Sequence, residues 1–202
     1  MSYMLEHPIW IVALVAMILI TVFVCFKAAS ASSKRYKANE AIMKKLKEEN
    51  ILRNEFSVLT ASLIEKAEAD RLFKGVALNL QKKISDAADM KAEFDKLTDG
   101  QKEIYALSFV IEDGGEKLSE FFKANGQPVT GSALDAFRRL FSGKALEIFE
   151  SEFDSYDSDN ETASVIPAEI EKKDAEFAEC ISVDEICRIA GSFIKNCPKN
   201  FI

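Results

Sequence analysis

The stretch "TDGQKEIYALSFVIEDGG", residues 98–115, decides the fold class of this chain. Thr98 is suited to cap a helix, and Gln101 stands three residues on, where its side chain can reach back to the cap amide. Ile104 and Leu107 begin an apolar series at spacings of three and four, which is typical of one buried helical face. The glycine pair that closes the stretch ends the pattern. These signals predict one well-delimited amphipathic helix.

Similar start and stop signals recur on both sides of this helix. Pro167 suits the first turn of a helix that runs to about Cys180, and Ser182 with Glu185 forms a second capping-box pattern. Almost no stretch alternates polar and apolar residues with the period of two that a half-buried strand requires. The sequence therefore predicts an all-α fold. Further helices are expected over Ala38–Phe73 and Val76–Leu97, from Glu116 to a left-handed turn at Asn125-Gly126, and from Ser132 onward.

The N-terminal stretch "HPIWIVALVAMILITVFVCFKAASASSKRYK", residues 7–37, contains a long run without charge. From Ile9 to Phe26 there are 18 uncharged residues. At a helical rise of about 1.5 Å per residue they extend about 27 Å, close to the hydrocarbon thickness of a bilayer. No Lys or Arg precedes the run, whereas a cleaved export signal normally begins with a basic cluster. The run is therefore interpreted as a permanent transmembrane anchor.

Basic residues stand on only one side of this predicted anchor. By the positive-inside rule, the side that carries them stays in the cytoplasm. We therefore expect a single-pass protein of the cytoplasmic (inner) membrane with its N-terminus outside, and the lipid bilayer as its first partner. The residues expected at the membrane interfaces are Trp10, Lys27, Lys34, Arg35 and Lys37.

The chain divides into six segments on these patterns. Its net charge is −7, but residues 27–53 carry +5 and the residues after Arg53 carry −11. A basic segment beside a membrane is attracted to anionic lipid, while an acidic body is repelled by nucleic-acid phosphates, so we expect no direct nucleic-acid binding. The predicted segments are a short extracytoplasmic N-terminus (1–8), a transmembrane helix (9–26), a basic juxtamembrane segment with a long amphipathic connecting helix (27–73), a compact multi-helix core domain (74–156), an acidic linker (157–166) and a C-terminal helical pair (167–202).

The residues that most enzymes and metal sites need are scarce in this chain. His7 is the single histidine and lies before the predicted anchor, which excludes Ser-His and Cys-His catalysis in the body. The four cysteines show no CxxC spacing, and "EDGGEK" at residues 112–117 lacks the glycine spacing of a phosphate-binding loop. We therefore expect no catalytic activity, no cofactor and no metal. Fifteen phenylalanines at helical spacings predict a packed aromatic core instead.

Two segments are candidate protein-binding sites, because loops with unusual turn residues or dense charge often carry recognition. The first is the turn-rich segment, residues 114–126, and the second is the acidic segment, residues 150–161, which is expected to be a solvated loop. The residues singled out are Gly114, Gly115, Phe121, Phe122, Asn125 and Gly126 in the first, and Glu150, Glu152, Asp154, Asp157 and Asp159 in the second. Residues 38–63 are the alternative, as a site for self-association.

The middle of the chain resembles a known family. "IYALSFVIEDGGEKLSEFF" at residues 104–122, then "NG", "ALDAFRRL" and "ALEIFESEF", are similar to the bacterial DNA-mimic-protein-like helical domain family, a domain of unknown function. The resemblance covers about residues 72–156, and Asp113 and Glu116 stand where the family pattern has Asn and Phe. It implies a binding domain, with an acidic surface that imitates DNA phosphates in at least one branch of the family.

Three functions stay open on these grounds. The first is a membrane-anchored, cytoplasm-facing interaction module, an adaptor or accessory protein with an unidentified protein partner. The second is a structural subunit of a multi-protein membrane complex. The third, which we favour least, is an acidic DNA mimic that occupies a DNA-binding protein.

Overall fold

The computed structural model describes residues 39–157 and 159–202, together with Met17 and Tyr36. Over these residues the chain forms ten α-helices and no strand, which confirms the all-α prediction. The helices are α1 (described over 39–55), α2 (Ala61–Lys66), α3 (Ala69–Ser85), α4 (Met90–Asp95), α5 (Asp99–Gly114), α6 (Leu118–Ala124), α7 (Val129–Leu140), α8 (Lys144–Tyr156), α9 (Pro167–Cys180) and α10 (Val183–Asn196), followed by a 3-10 turn at Pro198–Asn200.

The chain falls into two compact units, residues 1–48 and residues 49–202. Among the described residues, no helix combines the length and the apolar character that crossing a bilayer requires. Apart from Met17, the predicted anchor at residues 9–26 lies outside the described residues. The second unit contains the core and the helices from α2 to α10.

The predicted helix starts are confirmed at α5, α9 and α10. The Thr98 hydroxyl oxygen accepts from the Gln101 amide at 3.2 Å, and the Gln101 side chain accepts from the Thr98 amide at 3.2 Å, so the capping box is complete. Pro167 is the first residue of α9. The Ser182 hydroxyl accepts from the amide of Glu185 at 3.2 Å and caps α10. The Thr98 and Ser182 side chains each satisfy an amide that lacks an intrahelical partner.

The core is built around α5, which packs against α3, α6 and α7, while α10 packs along α3. Eleven phenylalanines are buried, among them Phe121, Phe137 and Phe149. The ring centroids of Phe121 and Phe149 lie 6.1 Å apart, and those of Phe122 and Phe149 lie 5.1 Å apart. The prediction of a phenylalanine-rich core is therefore confirmed.

The predicted connecting helix over Ala38–Phe73 is wrong as a single helix. The chain leaves helical geometry at Phe56, restarts at Ala61 and breaks again before Ala69. Phe56 is 1% exposed, and its ring lies so close to Gly75 of α3 that a Cβ at that position would overlap it. Burial of this ring against α3 turns the chain, and Thr60 then caps α2 by accepting from the amide of Leu63 at 3.2 Å.

Other predicted boundaries also differ from the structure. Leu72 and Phe73 belong to α3 and are buried, so the boundary proposed at residue 73 falls inside a helix. The predicted helix over Val76–Leu97 is two helices, α3 and α4. The left-handed turn predicted at Asn125-Gly126 is wrong, because Asn125 is extended with φ −122° and Gly143 is the described glycine with positive φ, at 67°.

Candidate interaction surfaces

The predicted membrane-interface residues lie outside the described part of the chain. This holds for Trp10, Lys27, Lys34, Arg35 and Lys37. Their placement therefore stays a prediction from the sequence.

The first half of α1 exposes apolar side chains. Ile42, Met43 and Leu46 are 56%, 55% and 47% exposed. On a helix, positions 42 and 46 lie one turn apart and position 43 lies beside them, so the three side chains share one side. We call these three residues the α1 apolar face. Lysines flank them in the sequence, and Lys44 pairs with Glu48 at 3.9 Å in exposed surroundings.

The second half of the segment proposed for self-association is used differently. Phe56 is buried, and Leu52, Leu59 and Leu63 are half-buried against the core of residues 49–202. These side chains are therefore occupied within the chain itself. Of the apolar stripe across residues 38–63, the α1 apolar face is the largest part left for another molecule.

The turn-rich segment at residues 114–126 divides into buried and exposed positions. Phe121 and Phe122 are buried, and Gly114 is buried where α5 ends. A Cβ at Gly114 would lie 3.0 Å from the Cβ of Phe121, so glycine permits close packing of α5 on α6 here. The phenylalanine pair therefore supports the segment from inside, and the accessible positions are Gly115, Asn125 and Gly126.

Asn125 fixes the end of α6 through its side chain. Its amide donates to the carbonyl oxygen of Phe121 at 3.0 Å and to the Asp113 carboxylate at 2.8 Å. The backbone amide of Asn125 also donates to the carbonyl oxygen of Phe121 at 3.0 Å, so this residue holds the helix end without the predicted left-handed turn. The backbone of Asn125 can therefore stay extended.

A small cleft joins the two predicted sites. It has a volume of about 50 Å³ and is lined by Asn125 and Gly126 from the turn-rich segment and by Tyr156 and Asp157 from the end of α8. Phe122 and Phe153 form its apolar part. The structure thus brings together residues about 30 positions apart that the sequence suggested separately.

The acidic segment is mostly helical, which corrects the expected solvated loop at its first half. Residues 150–156 belong to α8, and only residues from Asp157 onward lie outside the helix. Glu150 pairs with Arg138 at 2.7 Å, Asp154 is exposed, and the Asp157 carboxylate accepts from the amide of Asp159 at 3.1 Å. Glu152 is 0% exposed, so it faces the core and not solvent.

Glu152 lies in a buried polar cluster between α6, α8 and α9. Both of its carboxylate oxygens, and the hydroxyl of Tyr156, are buried without a hydrogen-bond partner. Asp174 of α9 lies nearby and is itself buried, where it accepts from the amide and the hydroxyl of Ser119 at 2.8 and 2.7 Å. Burial, reinforced by the negative charge of Asp174, raises the pKa of Glu152 to about 8, although Lys173 and Lys123 oppose the rise.

Glu103 is a second buried acid, but it has an ionic partner. Its carboxylate lies 3.1 Å from the guanidinium of Arg139, which in turn lies over the ring of Phe193. Burial raises the pKa of Glu103 to about 7, against the attraction of Arg139, and Asp135 and Asp99 add to the rise.

Sequence reasoning named Glu152 only as part of a solvated segment and did not name Glu103, so it missed the burial of both acids, although a signal was present. Glu152 follows Ile148 and Phe149 by four and three residues, and Glu103 precedes Leu107 by four, so each lies on an apolar helical face. An acid at such a position is buried together with the apolar side chains, unless the apolar face ends there.

The described residues contain no group of three or more His, Cys, Asp or Glu side chains arranged to hold a metal. Comparison with known proteins gives no match to any family model, curated protein or solved structure. The resemblance over residues 72–156 therefore stays a prediction, as do the expected absence of a cofactor and of catalysis.

Proposed function

We propose that this chain is a membrane-anchored helical interaction module without catalytic activity. Residues 9–26 hold it in the cytoplasmic membrane, and residues 49–202 form a helical domain on the cytoplasmic side. An anchor confines the domain to a surface, which raises the local concentration for a partner in the same membrane and makes weak contacts effective. The uncharged run followed by basic residues supports this topology.

The α1 apolar face is the observation that carries the binding role. Ile42, Met43 and Leu46 lie within five residues and are each about half exposed, directly before a domain that buries its own apolar side chains. Single exposed apolar residues are ordinary, but neighbouring ones on one helix side favour a contact with another molecule. The small cleft at Asn125 and Asp157 is a second candidate surface, because its two sides come from the two segments that the sequence predicts to bind protein.

A structural subunit is the second candidate, and the same face supports it. An apolar helix side that continues toward a membrane span suits packing on the helix of a neighbouring subunit or of a second copy. In that case the predicted span itself also contacts other spans.

Affinity capture from membranes in mild detergent tests the proposal. The full chain is compared with a variant that carries Ile42→Ser and Leu46→Ser, and with a control that carries Ala41→Ser and Glu48→Ser on the other side of α1. We expect a defined partner with the wild type and the control, at low and high salt, and at least about a tenfold loss with the apolar-face variant. Equal recovery with all three chains would contradict a role for this face.

The effect of salt on recovery and the identity of the partner distinguish the three candidate functions. An adaptor recovers a different protein through apolar contacts, which salt does not release. A structural subunit recovers integral membrane proteins or its own second copy, detected with two tags. A DNA-binding protein that high salt releases would favour the DNA mimic instead, because charge-based contacts weaken steeply with ionic strength.

A further inference from the structure

The contact between α8 and α9 has a carboxylate at its centre. The buried side chains of α9 are Ile170, Asp174 and Phe177, which lie on one side of the helix at spacings of four and three. α9 packs on α8 and α6 through this side. The buried part of this contact therefore has two apolar side chains with Asp174 between them.

Glu152 faces this contact without a partner for either oxygen. A buried polar group without a hydrogen bond is costly, and an ionised one is far more so. Glu152 therefore fits its surroundings as a neutral acid. Loss of its proton would place a second negative charge beside Asp174, in a position where no side chain donates to it.

The nearby cations are occupied elsewhere while the contact is closed. From α9, the Lys173 ammonium donates to the Ser151 carbonyl oxygen and the Ser155 hydroxyl, both at 3.4 Å. From α6, Lys123 pairs with Glu120 at 2.8 Å. Asp174 of α9, which accepts from Ser119 of α6, and Tyr156 of α8 are the titratable groups buried with Glu152. Farther out, Glu150 of α8 pairs with Arg138 of α7 at 2.7 Å, and Lys144 of α8 pairs with Glu176 of α9 at 3.0 Å.

We propose that Glu152 makes the docking of α9 proton-dependent: α9 stays docked on α8 while Glu152 is protonated, and loosens when Glu152 ionises. Movement of α9 admits water to the carboxylate or lets an ammonium group reach it. The pKa near 8 agrees with this, because opening then becomes more favourable as the pH rises from about 4.5 to about 8 and levels off above that. The inference does not depend on the proposed binding function.

Hydrogen exchange of the full chain in mild detergent tests the proposal. Exchange of α9 amides is compared at about pH 6.5 and about pH 9, after correction for the intrinsic effect of pH, with α3 amides as the reference. Each pH unit over which only the docked state keeps the proton favours opening up to about tenfold. We therefore expect α9 in the wild type to exchange at least about tenfold faster at the higher pH.

Two variants remove the titrating group and one keeps it. Glu152→Gln preserves shape, and Glu152→Met removes polarity and serves if the first variant folds poorly. We expect less than about a twofold change of α9 exchange in both. Glu150→Gln replaces an acid two residues earlier on α8, and this variant should behave as the wild type does.

Three results would overturn the proposal. They are no acceleration in the wild type, the same acceleration after Glu152 is replaced, and an equal acceleration of α3, which would mean opening of the whole domain and not of α9.

Discussion

The two halves of the apolar stripe at residues 42–63 differ in exposure. Ile42 and Leu46 remain about half exposed, whereas Phe56 is 1% exposed and Leu52 and Leu63 lie against the core. The residue types and spacings are similar in both halves. The second half lies within the unit of residues 49–202, where α3 and its neighbours supply a surface to pack on. The helical pattern therefore identifies which side of the helix is apolar. The tertiary structure decides whether that side packs against the chain itself.

The largest expected effect is on the buried side of this comparison. Phe56→Ala should lower the free energy of unfolding by about 3–5 kcal/mol, because it removes a fully buried ring and leaves a cavity against Gly75. Urea unfolding followed by circular dichroism measures it. Leu46→Ala is the matched change in the exposed half, and a loss above about 1 kcal/mol there would break the distinction.

The second effect concerns Glu103, whose carboxyl group becomes buried when the domain folds. The raised pKa of Glu103, about 7 against an ordinary 4.5, means that the folded state holds its proton more tightly than the unfolded state. Stability should therefore fall as pH rises from about 4.5 to about 7, by up to about 1.4 kcal/mol per pH unit, and this contribution should then level off. Urea unfolding at several pH values checks it.

Glu103→Gln should flatten this part of the pH profile. Glu48→Gln, an exposed acid of α1, is the matched control. If the profile of the Glu103 variant is as steep as that of the wild type, burial of this carboxylate has no energetic consequence and the assignment is wrong.

A smaller effect is expected at the start of α5. Thr98→Ala removes the cap of the Gln101 amide and the bond that the hydroxyl donates to the carbonyl oxygen of Asn200 at 3.0 Å. We expect a loss of about 1 kcal/mol in unfolding free energy. Thr98→Ser keeps the oxygen and should restore most of it, and failure of the serine to do so would point to the methyl group instead of the cap.

The smallest effect on stability belongs to the α1 apolar face. Ile42→Ser with Leu46→Ser should change the unfolding free energy by less than about 0.5 kcal/mol, because these side chains are already exposed. The same variant should lose its partner in affinity capture. A variant that unfolds the domain would show that the face belongs to the core after all.

Local signals predicted the fold class and several helix starts correctly. Thr98, Pro167 and Ser182 act through atoms within three residues of themselves, so the sequence around them is sufficient. The same is true of the phenylalanines, whose helical spacing points to a core.

Features that depend on distant residues could not be predicted in this way. The break after residue 55 has no glycine or proline to mark it, and it follows from packing of Phe56 on Gly75 of α3. Burial of Glu152 depends on α9, which approaches from across the acidic linker. The cleft at Asn125 and Asp157 likewise needs the whole domain to form, and the sequence suggested its two sides but not their meeting.

We propose that residues 9–26 stay in the chain and hold the helical domain on the cytoplasmic side of the membrane. Protease treatment of intact spheroplasts that carry a C-terminally tagged chain tests it most directly, with lysed spheroplasts as the control. We predict that the tagged domain is protected until lysis and that the mature chain retains the uncharged run. Digestion of the tag in intact spheroplasts, or a mature chain that begins near Ser30, would contradict the account.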